Sequence, residues 1–142
     1  MSIDIKYTAS ATATGGRDGH SRTEGGEVDV KLATPKALGG AGDGVNPEML
    51  FAAGYAACYI GAMKFATTQD KSLAKVPDDA EVTAKVGIGP RSDKGFGLRV
   101  DLTVHFPGVD TAEVQKVADA GHDICPYSHA TKGNIEVTTT VV

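Results

Sequence analysis

Alternation of apolar and polar residues predicts most of the strands in this chain. Between residues 3 and 14, Ile3, Ile5, Tyr7 and three alanines fall on one face, and charged or hydroxylated residues fall on the other. Period-two alternation of this kind is typical of a half-buried strand. The same pattern predicts strands over residues 27–32, 81–88, 98–106 and 135–142. A glycine-rich turn at residues 15–19 predicts a hairpin whose second strand covers residues 20–23.

The most apolar stretch of the chain runs from Asn46 to Phe65 and predicts a buried helix. Asn46 is a suitable N-cap, Pro47 fits the first helical position, and Glu48 places negative charge in the first turn. The next charge is Lys64, so every face of the helix is apolar and none is suited to water. The uncharged run between the two charges has 15 residues. Because a bilayer needs roughly 20, the pattern favours a core helix over a membrane span.

A second helix is predicted from Asp110 to about Ile124. Asp110 and Glu113 have the spacing of a capping box, and apolar residues continue at helical intervals toward Cys125. Pro126 cannot continue this helix, because it lacks an N–H and its ring clashes with the preceding turn. Residues 33–45 are rich in glycine and predict a long irregular loop, which we expect to form the rim of a site.

The predicted order is three strands, a helix, two strands, a helix and a strand, in one domain spanning residues 1–142. Strands that come in consecutive runs indicate an α+β fold with antiparallel sheet. The apolar helix needs cover on all sides, whereas one set of six strands covers mainly one side. Small residues along it, including Ala52, Gly54, Ala56 and Gly61, would let another backbone come close. We therefore expect a homodimer whose core includes these helices.

Composition and charge narrow the functional classes. The net charge is −4 and the pI is near 5.5, and no basic cluster with interleaved aromatic residues is present. Nucleic-acid binding is therefore disfavoured. The first residues show no basic segment followed by an apolar run, so we expect neither a signal peptide nor a membrane anchor and place the protein in the cytoplasm. Two cysteines in a reducing compartment are more typical of reactive, metal-binding or inert thiols than of a structural disulfide.

Cys58 lies in the middle of the apolar helix and has two interpretations. Most buried free cysteines are small core residues. A reactive cysteine must instead form a thiolate, which burial disfavours unless a positive group lies beside it. Cys58 is too far from the helix N-terminus for the helix dipole to help. Arg17, at the tip of the first hairpin, is the arginine best placed to supply the charge, and Glu48 is suited to pair with its guanidinium. The alternatives are a solvated turn residue and a simple helix-start charge.

Cys125 is the only other cysteine, and it too is either a packed core residue or part of a redox pair. Two cysteines whose Cα atoms come within about 7 Å can cycle between dithiol and disulfide. Cys58 would then be oxidised to a sulfenic acid, with which Cys125 would condense. A metal site at His122, Cys125 and His129, or a Cys/His hydrolase, has less support, because no Cys-x-x-Cys motif, carboxylate cluster or histidine signature accompanies these residues.

Three blocks together resemble the organic hydroperoxide resistance branch of the OsmC-like superfamily. They are YTASATATGGRDG at residues 7–19, NPEMLFAAGYAAC at residues 46–58 and CPYS at residues 125–128. The similarity extends over essentially the whole chain. It implies the OsmC-like α+β fold, in which antiparallel sheets pack around long buried central helices in an intertwined homodimer with sites at the interface.

The resemblance also implies a thiol peroxidase that reduces organic hydroperoxides, including those of fatty acids, to alcohols in oxidative stress defence. Cys58 would be the peroxidatic cysteine and Cys125 the resolving cysteine. Arg17 would activate the Cys58 thiolate and steady the peroxide, and Glu48 would pair with Arg17. No cofactor would be bound, and the reductant would be a dihydrolipoyl group carried on a protein.

Apolar residues on the central helix suggest the preferred substrate. A pocket lined by Leu50, Phe51, Tyr55 and Ile60 would favour an alkyl hydroperoxide over hydrogen peroxide, because each buried CH₂ contributes about 0.8 kcal/mol. Two other classes stay open. One is a non-catalytic binder of apolar ligands in which both cysteines are merely packed. The other is a thiol redox sensor that signals through a partner, although the sequence has no DNA-binding helix pair or basic face.

Overall fold

The computed structural model describes residues Met1–Val142 and contains the predicted elements in the predicted order. The strands are β1 Ala11–Thr14, β2 His20–Thr23, β3 Asp29–Lys31, β4 Glu81–Pro90, β5 Phe96–His105 and β6 Val137–Val141. The helices are α1 Pro47–Gln69, α2 Thr111–Ile124 and α3 Pro126–Thr131. Two 3₁₀ turns lie at Gly16–Asp18 and Lys36–Leu38. The α+β class is thus confirmed, and the chain divides into two compact units, Met1–Leu50 and Phe51–Val142.

The first unit contains an antiparallel sheet in the order β1-β2-β3. The predicted irregular loop at residues 33–45 follows it and is more ordered than expected. Its two ends pair, because Ala33 N–H donates to the Val45 carbonyl at 2.9 Å and Val45 N–H donates to the Lys31 carbonyl at 3.0 Å. The loop is therefore closed at its base, with the second 3₁₀ turn inside it.

The first predicted strand is much shorter than expected. The alternating pattern covers residues 3–14, but β1 contains only residues 11–14. β2 ends at Thr23, opposite Ala11, and the chain then turns toward β3, so no strand of this chain lies opposite residues 3–10. The apolar residues of this segment are consequently exposed, with Tyr7 83% accessible.

The second unit contains a sheet in the order β4-β5-β6. β4 and β5 form an antiparallel hairpin that extends further than predicted, from Pro90 opposite Phe96 to Glu81 opposite His105. The other strand pairs are antiparallel, as predicted, but β6 pairs with β5 in parallel, which the sequence did not predict. The parallel pairing follows from the connection between the two strands. Because α2 and α3 lie between β5 and β6 in the sequence, the helical crossover brings the chain back so that β6 runs in the same direction as β5.

The hydrophobic core of the second unit brings α1, α2 and this sheet together. Its fully buried members include Tyr55, Tyr59 and Met63 from α1, Val114 and Val117 from α2, and Val100, Leu102 and Val104 from β5. The Tyr59 hydroxyl donates to the Ala118 carbonyl at 2.6 Å, which satisfies the one polar atom that this ring buries. Close approach of the two helices depends on Gly121, since a Cβ there would lie 2.6 Å from Met63 Cγ.

The single chain covers α1 on only part of its surface, as expected for a helix that one set of strands cannot enclose. The helix ends at Gln69, and several of its large apolar side chains are exposed, including Met49 and Phe65, the latter at 52%. By length and composition, α1 is also the one helix suited to crossing a membrane, although core helices of water-soluble proteins share these properties. The exposed side chains identify a face of α1 that this chain does not cover.

Replacing Gly121 by alanine tests the packing of α2 on α1. Helix propensity alone would make Gly121→Ala stabilising by about 0.5–1 kcal/mol. The added Cβ would also meet Tyr59 Cε2 at 3.1 Å, so the neighbouring side chains must shift. We expect overpacking to prevail and the free energy of unfolding to fall by about 1–2 kcal/mol. Denaturant unfolding at fixed protein concentration measures this free energy. A variant more stable than the wild type would contradict close packing of α2 on α1 at Gly121.

Candidate active site

Arg17 is presented by a turn whose backbone depends on glycine. Gly15 and Gly16 have φ angles of 70° and 60°, which lie in the left-handed region that residues with a Cβ rarely adopt. The 3₁₀ turn that follows holds Arg17 between β1 and β2. Asp18 fastens this turn to the next loop, because its carboxylate accepts hydrogen bonds from Thr34 N–H at 2.9 Å and from Thr34 Oγ1 at 3.0 Å. The anchoring role of Asp18 was missed in the sequence.

Arg17 and Glu48 form a bidentate ion pair in the first unit. Arg17 Nη1 donates to Glu48 Oε2 at 2.9 Å, and Arg17 Nη2 donates to Glu48 Oε1 at 2.6 Å. The guanidinium is 36% exposed and the carboxylate 12% exposed. Asn46 Oδ1 accepts from Met49 N–H at 2.9 Å, which caps the helix and fixes the turn that carries Glu48. The hydrogen bond from Arg17 is the main reason that the pKa of Glu48 lies below its ordinary value of 4.5.

Cys58 and Cys125 are brought into contact within the second unit. Cys58 lies on α1 and is half-buried, whereas Cys125 is fully buried at the corner between α2 and α3. Both are free thiols, and their sulfurs are 3.6 Å apart. A disulfide requires about 2.05 Å, so the pair can close with a displacement of roughly 1.5 Å. The two cysteines are therefore positioned as a dithiol pair.

The surroundings of Cys58 within this unit act in opposite directions on its thiol. Burial raises the pKa of Cys58, and the neighbouring Cys125 raises it further. A hydrogen bond with the backbone N–H of Tyr127 lowers it. This donor was not predicted from the sequence, although Pro126 indicates it. A proline at the first helical position begins α3, and the N–H groups of a first turn have no partner within their own helix.

The four residues predicted to line a pocket do not share one face of α1. Phe51 and Tyr55 precede Cys58 by seven and three residues, and they share its side of a helix that turns 100° per residue. Ile60 follows Cys58 by two residues and lies on roughly the opposite side, where it packs against the core. Ile60 is therefore separated from the thiol by the helix itself. Leu50 is 36% exposed at the end of the first unit.

An aromatic cluster lies on the Cys58 side of α1. The ring centroids of Phe51 and Tyr55 are 5.7 Å and 5.6 Å from that of Tyr127, and 6.0 Å from each other. Tyr127 rests on Gly54, since a Cβ there would lie 2.9 Å from its hydroxyl oxygen. Tyr127 was not predicted as a lining residue, because its position next to Cys125 gave no information about distance to α1. Phe51 is half-buried and Tyr127 is 37% exposed, so these two rings provide apolar surface on the Cys58 side of α1, whereas Tyr55 is fully buried.

Comparison with known proteins identifies relatives along the full length of the chain. The family model described as OsmC-like protein matches residues 40–140. An organic hydroperoxide resistance protein of Xanthomonas axonopodis pv. citri is 54% identical over 138 residues, covering 96% of this chain and 95% of the relative.

Two solved structures closely resemble the structure of this chain. An organic hydroperoxide resistance protein from Elizabethkingia anophelis, with thiocyanate bound, has a TM-score of 0.88 and 47% identity and covers 98% of each chain. One from Bacillus subtilis has a TM-score of 0.84 and 37% identity, covering 96% of this chain and 98% of the other. These likenesses confirm the predicted OsmC-like fold.

The ion pair predicts a pH-dependent effect of Glu48→Gln. The pKa of Glu48 is lower when folded than when unfolded, so its stabilisation is fully present above about pH 4.5 and is lost as the pH falls through the folded pKa. We expect the substitution to cost about 1 kcal/mol of unfolding free energy near pH 7, because the pair is partly exposed, and close to nothing well below its folded pKa. Urea unfolding of both proteins across this range provides the measurement.

Glu136→Gln is the matched control for that experiment. Glu136 is a surface carboxylate 64% exposed and 3.8 Å from Arg99, and its removal should change stability little at any pH. A Glu48→Gln penalty that stayed constant as the pH fell would contradict the assigned ion pair.

Proposed function

The chain belongs to the OsmC-like family, and we propose that it is a cysteine-dependent peroxidase that reduces organic hydroperoxides to alcohols. The observation that carries this proposal is the contact of 3.6 Å between the two free thiols, Cys58 and Cys125. Relatives named organic hydroperoxide resistance proteins, matched over nearly the whole chain, support a role in resistance to organic hydroperoxides and in oxidative stress defence.

The first half of the proposed reaction oxidises Cys58. The Cys58 thiolate attacks the terminal oxygen of the hydroperoxide, an S–O bond forms and the O–O bond breaks. The electron pair leaves on the alkoxide, which takes up a proton and departs as the alcohol. Cys58 is left as a sulfenic acid, the first and reversible step of thiol oxidation.

The second half of the reaction closes and then reopens a disulfide. The Cys125 sulfur attacks the sulfenic sulfur of Cys58, an S–S bond forms, and the hydroxyl group leaves with the Cys125 proton as water. A dihydrolipoyl dithiol carried on a protein then reduces the disulfide by two exchange steps and becomes a cyclic disulfide itself. The burial of Cys125 supports this role, since a shielded thiol is not exposed to direct oxidation by peroxide.

Arg17 is the proposed source of the positive charge that Cys58 requires. The Cys58 thiol has a raised pKa within its own unit, so a thiolate at neutral pH needs a cation that this unit does not supply. A guanidinium has five N–H donors, and Glu48 occupies two of those of Arg17. The remaining donors are available for a thiolate or a peroxide oxygen, while Glu48 holds the guanidinium in a fixed orientation.

The preferred substrate is proposed to be an apolar hydroperoxide. Phe51, Tyr55 and Tyr127 form an aromatic cluster on the Cys58 side of α1. Each CH₂ of a substrate chain buried against such a surface contributes about 0.8 kcal/mol, which hydrogen peroxide cannot gain. Leu50 would extend the apolar surface, whereas Ile60 stabilises the core instead.

A homodimer is proposed to complete the fold. Residues 3–10 keep the alternating pattern of a half-buried strand but have no partner strand in this chain, and an apolar face of α1 is also exposed. Each surface exposes several large apolar side chains, which include Ile3, Ile5 and Tyr7 on the segment and Met49 and Phe65 on the helix. Exposed apolar surface of this kind is typical of protein–protein contacts. A second copy of the chain accounts for both at once, because it supplies the same strand and the same helix face.

Oxidation by a single equivalent of cumene hydroperoxide tests the chemistry. We expect the reduced protein to lose about two mass units as a disulfide forms. Cys58→Ser should not react, and Cys125→Ser should react once and stop as a sulfenic acid or over-oxidised product. Intact-mass spectrometry with quenched peroxide assays provides both readouts. An unchanged mass in the wild type would favour a non-catalytic apolar-ligand binder.

The substrate preference is tested by comparing second-order rate constants. An alkyl hydroperoxide should oxidise Cys58 at least tenfold faster than hydrogen peroxide, since burial of two CH₂ groups alone contributes about 1.6 kcal/mol. Stopped-flow measurements on the same reduced protein give both constants. Equal rates would contradict an apolar site.

Light scattering after size exclusion tests the dimer. At low micromolar concentration we expect about twice the chain mass of 14.6 kDa. Phe65→Lys, on the exposed face of α1, should shift the protein toward monomer, whereas Phe96→Lys, equally apolar and exposed but on β5, should not. A wild-type monomer would refute the proposal, and equal effects of both substitutions would refute the assignment to α1.

A further inference from the structure

A chain of hydrogen bonds between side chains links four elements of the second unit. The hydroxyl oxygen of Tyr55 on α1 lies 2.9 Å from Ser128 Oγ on α3. Ser128 Oγ lies 2.8 Å from His122 Nδ1 on α2, and His122 Nε2 lies 2.7 Å from Thr139 Oγ1 on β6. None of these four side chains has a chemical step in the proposed peroxidase reaction.

The chain of hydrogen bonds closes around Cys125. This cysteine ends α2 and precedes the first residue of α3, so it occupies the corner between two helices. His122 lies three residues before it and Ser128 three residues after it, and their hydrogen bond therefore spans the corner. At the other end, Tyr55 lies on α1 one turn before Cys58. The same set of bonds thus connects the turn bearing one sulfur to the corner bearing the other.

Burial makes this connection stiff. Tyr55 is fully buried, and Ser128 and Thr131 are only 6% and 4% exposed. Loss of the Ser128 hydroxyl would remove the partner of His122 Nδ1 and leave Tyr55 with only the longer contact of 3.3 Å to Thr131. An open cavity of about 320 Å³ borders Tyr55, His122 and Ser128. A water molecule that entered it could bind the groups left without a partner, but it would not join α2 to α3 as the Ser128 hydroxyl does. The corner would then relax to satisfy these groups.

We propose that Ser128, held by His122 and Thr139, is a positioning residue that keeps Cys125 against Cys58 and so sets the rate of disulfide formation. This inference rests on the proposed peroxidase function. Closing the sulfurs from 3.6 Å to about 2.05 Å needs only a small motion when the corner is held, and a larger and less frequent one when it is free. The first step, attack of Cys58 on the peroxide, uses no atom of Cys125 and does not require the two sulfurs to close, so we expect its rate to change little.

Adjacent threonines on β6 offer a matched test. Thr139→Val removes the hydroxyl that holds His122, and Thr138→Val removes a neighbouring hydroxyl that binds Asp101 instead. Ser128→Ala removes the central link, and Thr139→Ser keeps the hydroxyl. Each reduced protein receives one equivalent of cumene hydroperoxide and is quenched with acid over time. Mass spectrometry then gives the rates of sulfenic acid and disulfide formation separately.

We expect Ser128→Ala to slow disulfide formation roughly tenfold, and Thr139→Val by a smaller factor, with the rate of Cys58 oxidation unchanged within about twofold. Thr138→Val and Thr139→Ser should match the wild type in both steps. With excess peroxide, Ser128→Ala and Thr139→Val should accumulate more sulfinic acid at Cys58, because the sulfenic acid persists longer.

Two results would overturn the proposal. One is disulfide formation in Ser128→Ala and Thr139→Val at the wild-type rate. The other is an equal loss in Thr138→Val, which would show a general effect of destabilising the sheet. Failure of the peroxidase function itself would look different, since the wild type would then form neither sulfenic acid nor disulfide.

Discussion

The burial of Cys58 on an apolar helix is the constraint on which the proposed site depends. An apolar surrounding favours a substrate with an alkyl chain, but it also disfavours the thiolate that would attack it. Within its own unit, Cys58 has one group that favours the charged form, the backbone N–H of Tyr127, against burial and a neighbouring thiol. This imbalance is why the proposal assigns the missing positive charge to Arg17.

Each side chain that we propose to act in the reaction is held in place by a local feature of the fold. Glycines with positive φ shape the turn of Arg17, and an asparagine cap fixes the helix start that carries Glu48. Pro126 ends one helix and begins the next, which places Cys125 in a buried corner and aims a backbone donor at Cys58. The cysteines meet because Gly121 and Gly54 let α2 and Tyr127 come close to α1.

Much of this arrangement could be predicted from the sequence, because its signals are local. Alternation predicted β4 and β5, and capping residues together with Pro126 predicted the limits of α2. Predictions were wrong where the structure of a segment depends on residues far away in the sequence. Residues 3–10 have the pattern of a strand but no neighbour in the chain, and the direction of β6 was set by the helical crossover rather than by its own residues.

The residues of the proposed site also divide into those that local sequence features identified and those that they did not. Cys58, Cys125, Arg17 and Glu48 were identifiable because their residue types suggest chemistry and the blocks around them resemble a family. The contacts of Tyr127, Ser128 and Asp18 were not predicted, because they join a backbone N–H, a hydroxyl and a carboxylate to residues that no local pattern relates to them. Ile60 was misplaced because an all-apolar helix gives no indication of which side faces the thiol.

The pKa of Cys58 tests the central claim most directly. In a Cys125→Ser background, ultraviolet absorbance of the thiolate against pH reports Cys58 alone, and Arg17→Met removes the proposed charge while keeping much of the side-chain volume. The account predicts that the pKa of Cys58 lies below its ordinary value when Arg17 is present and rises above it in Arg17→Met. The same pKa in both proteins would contradict the account.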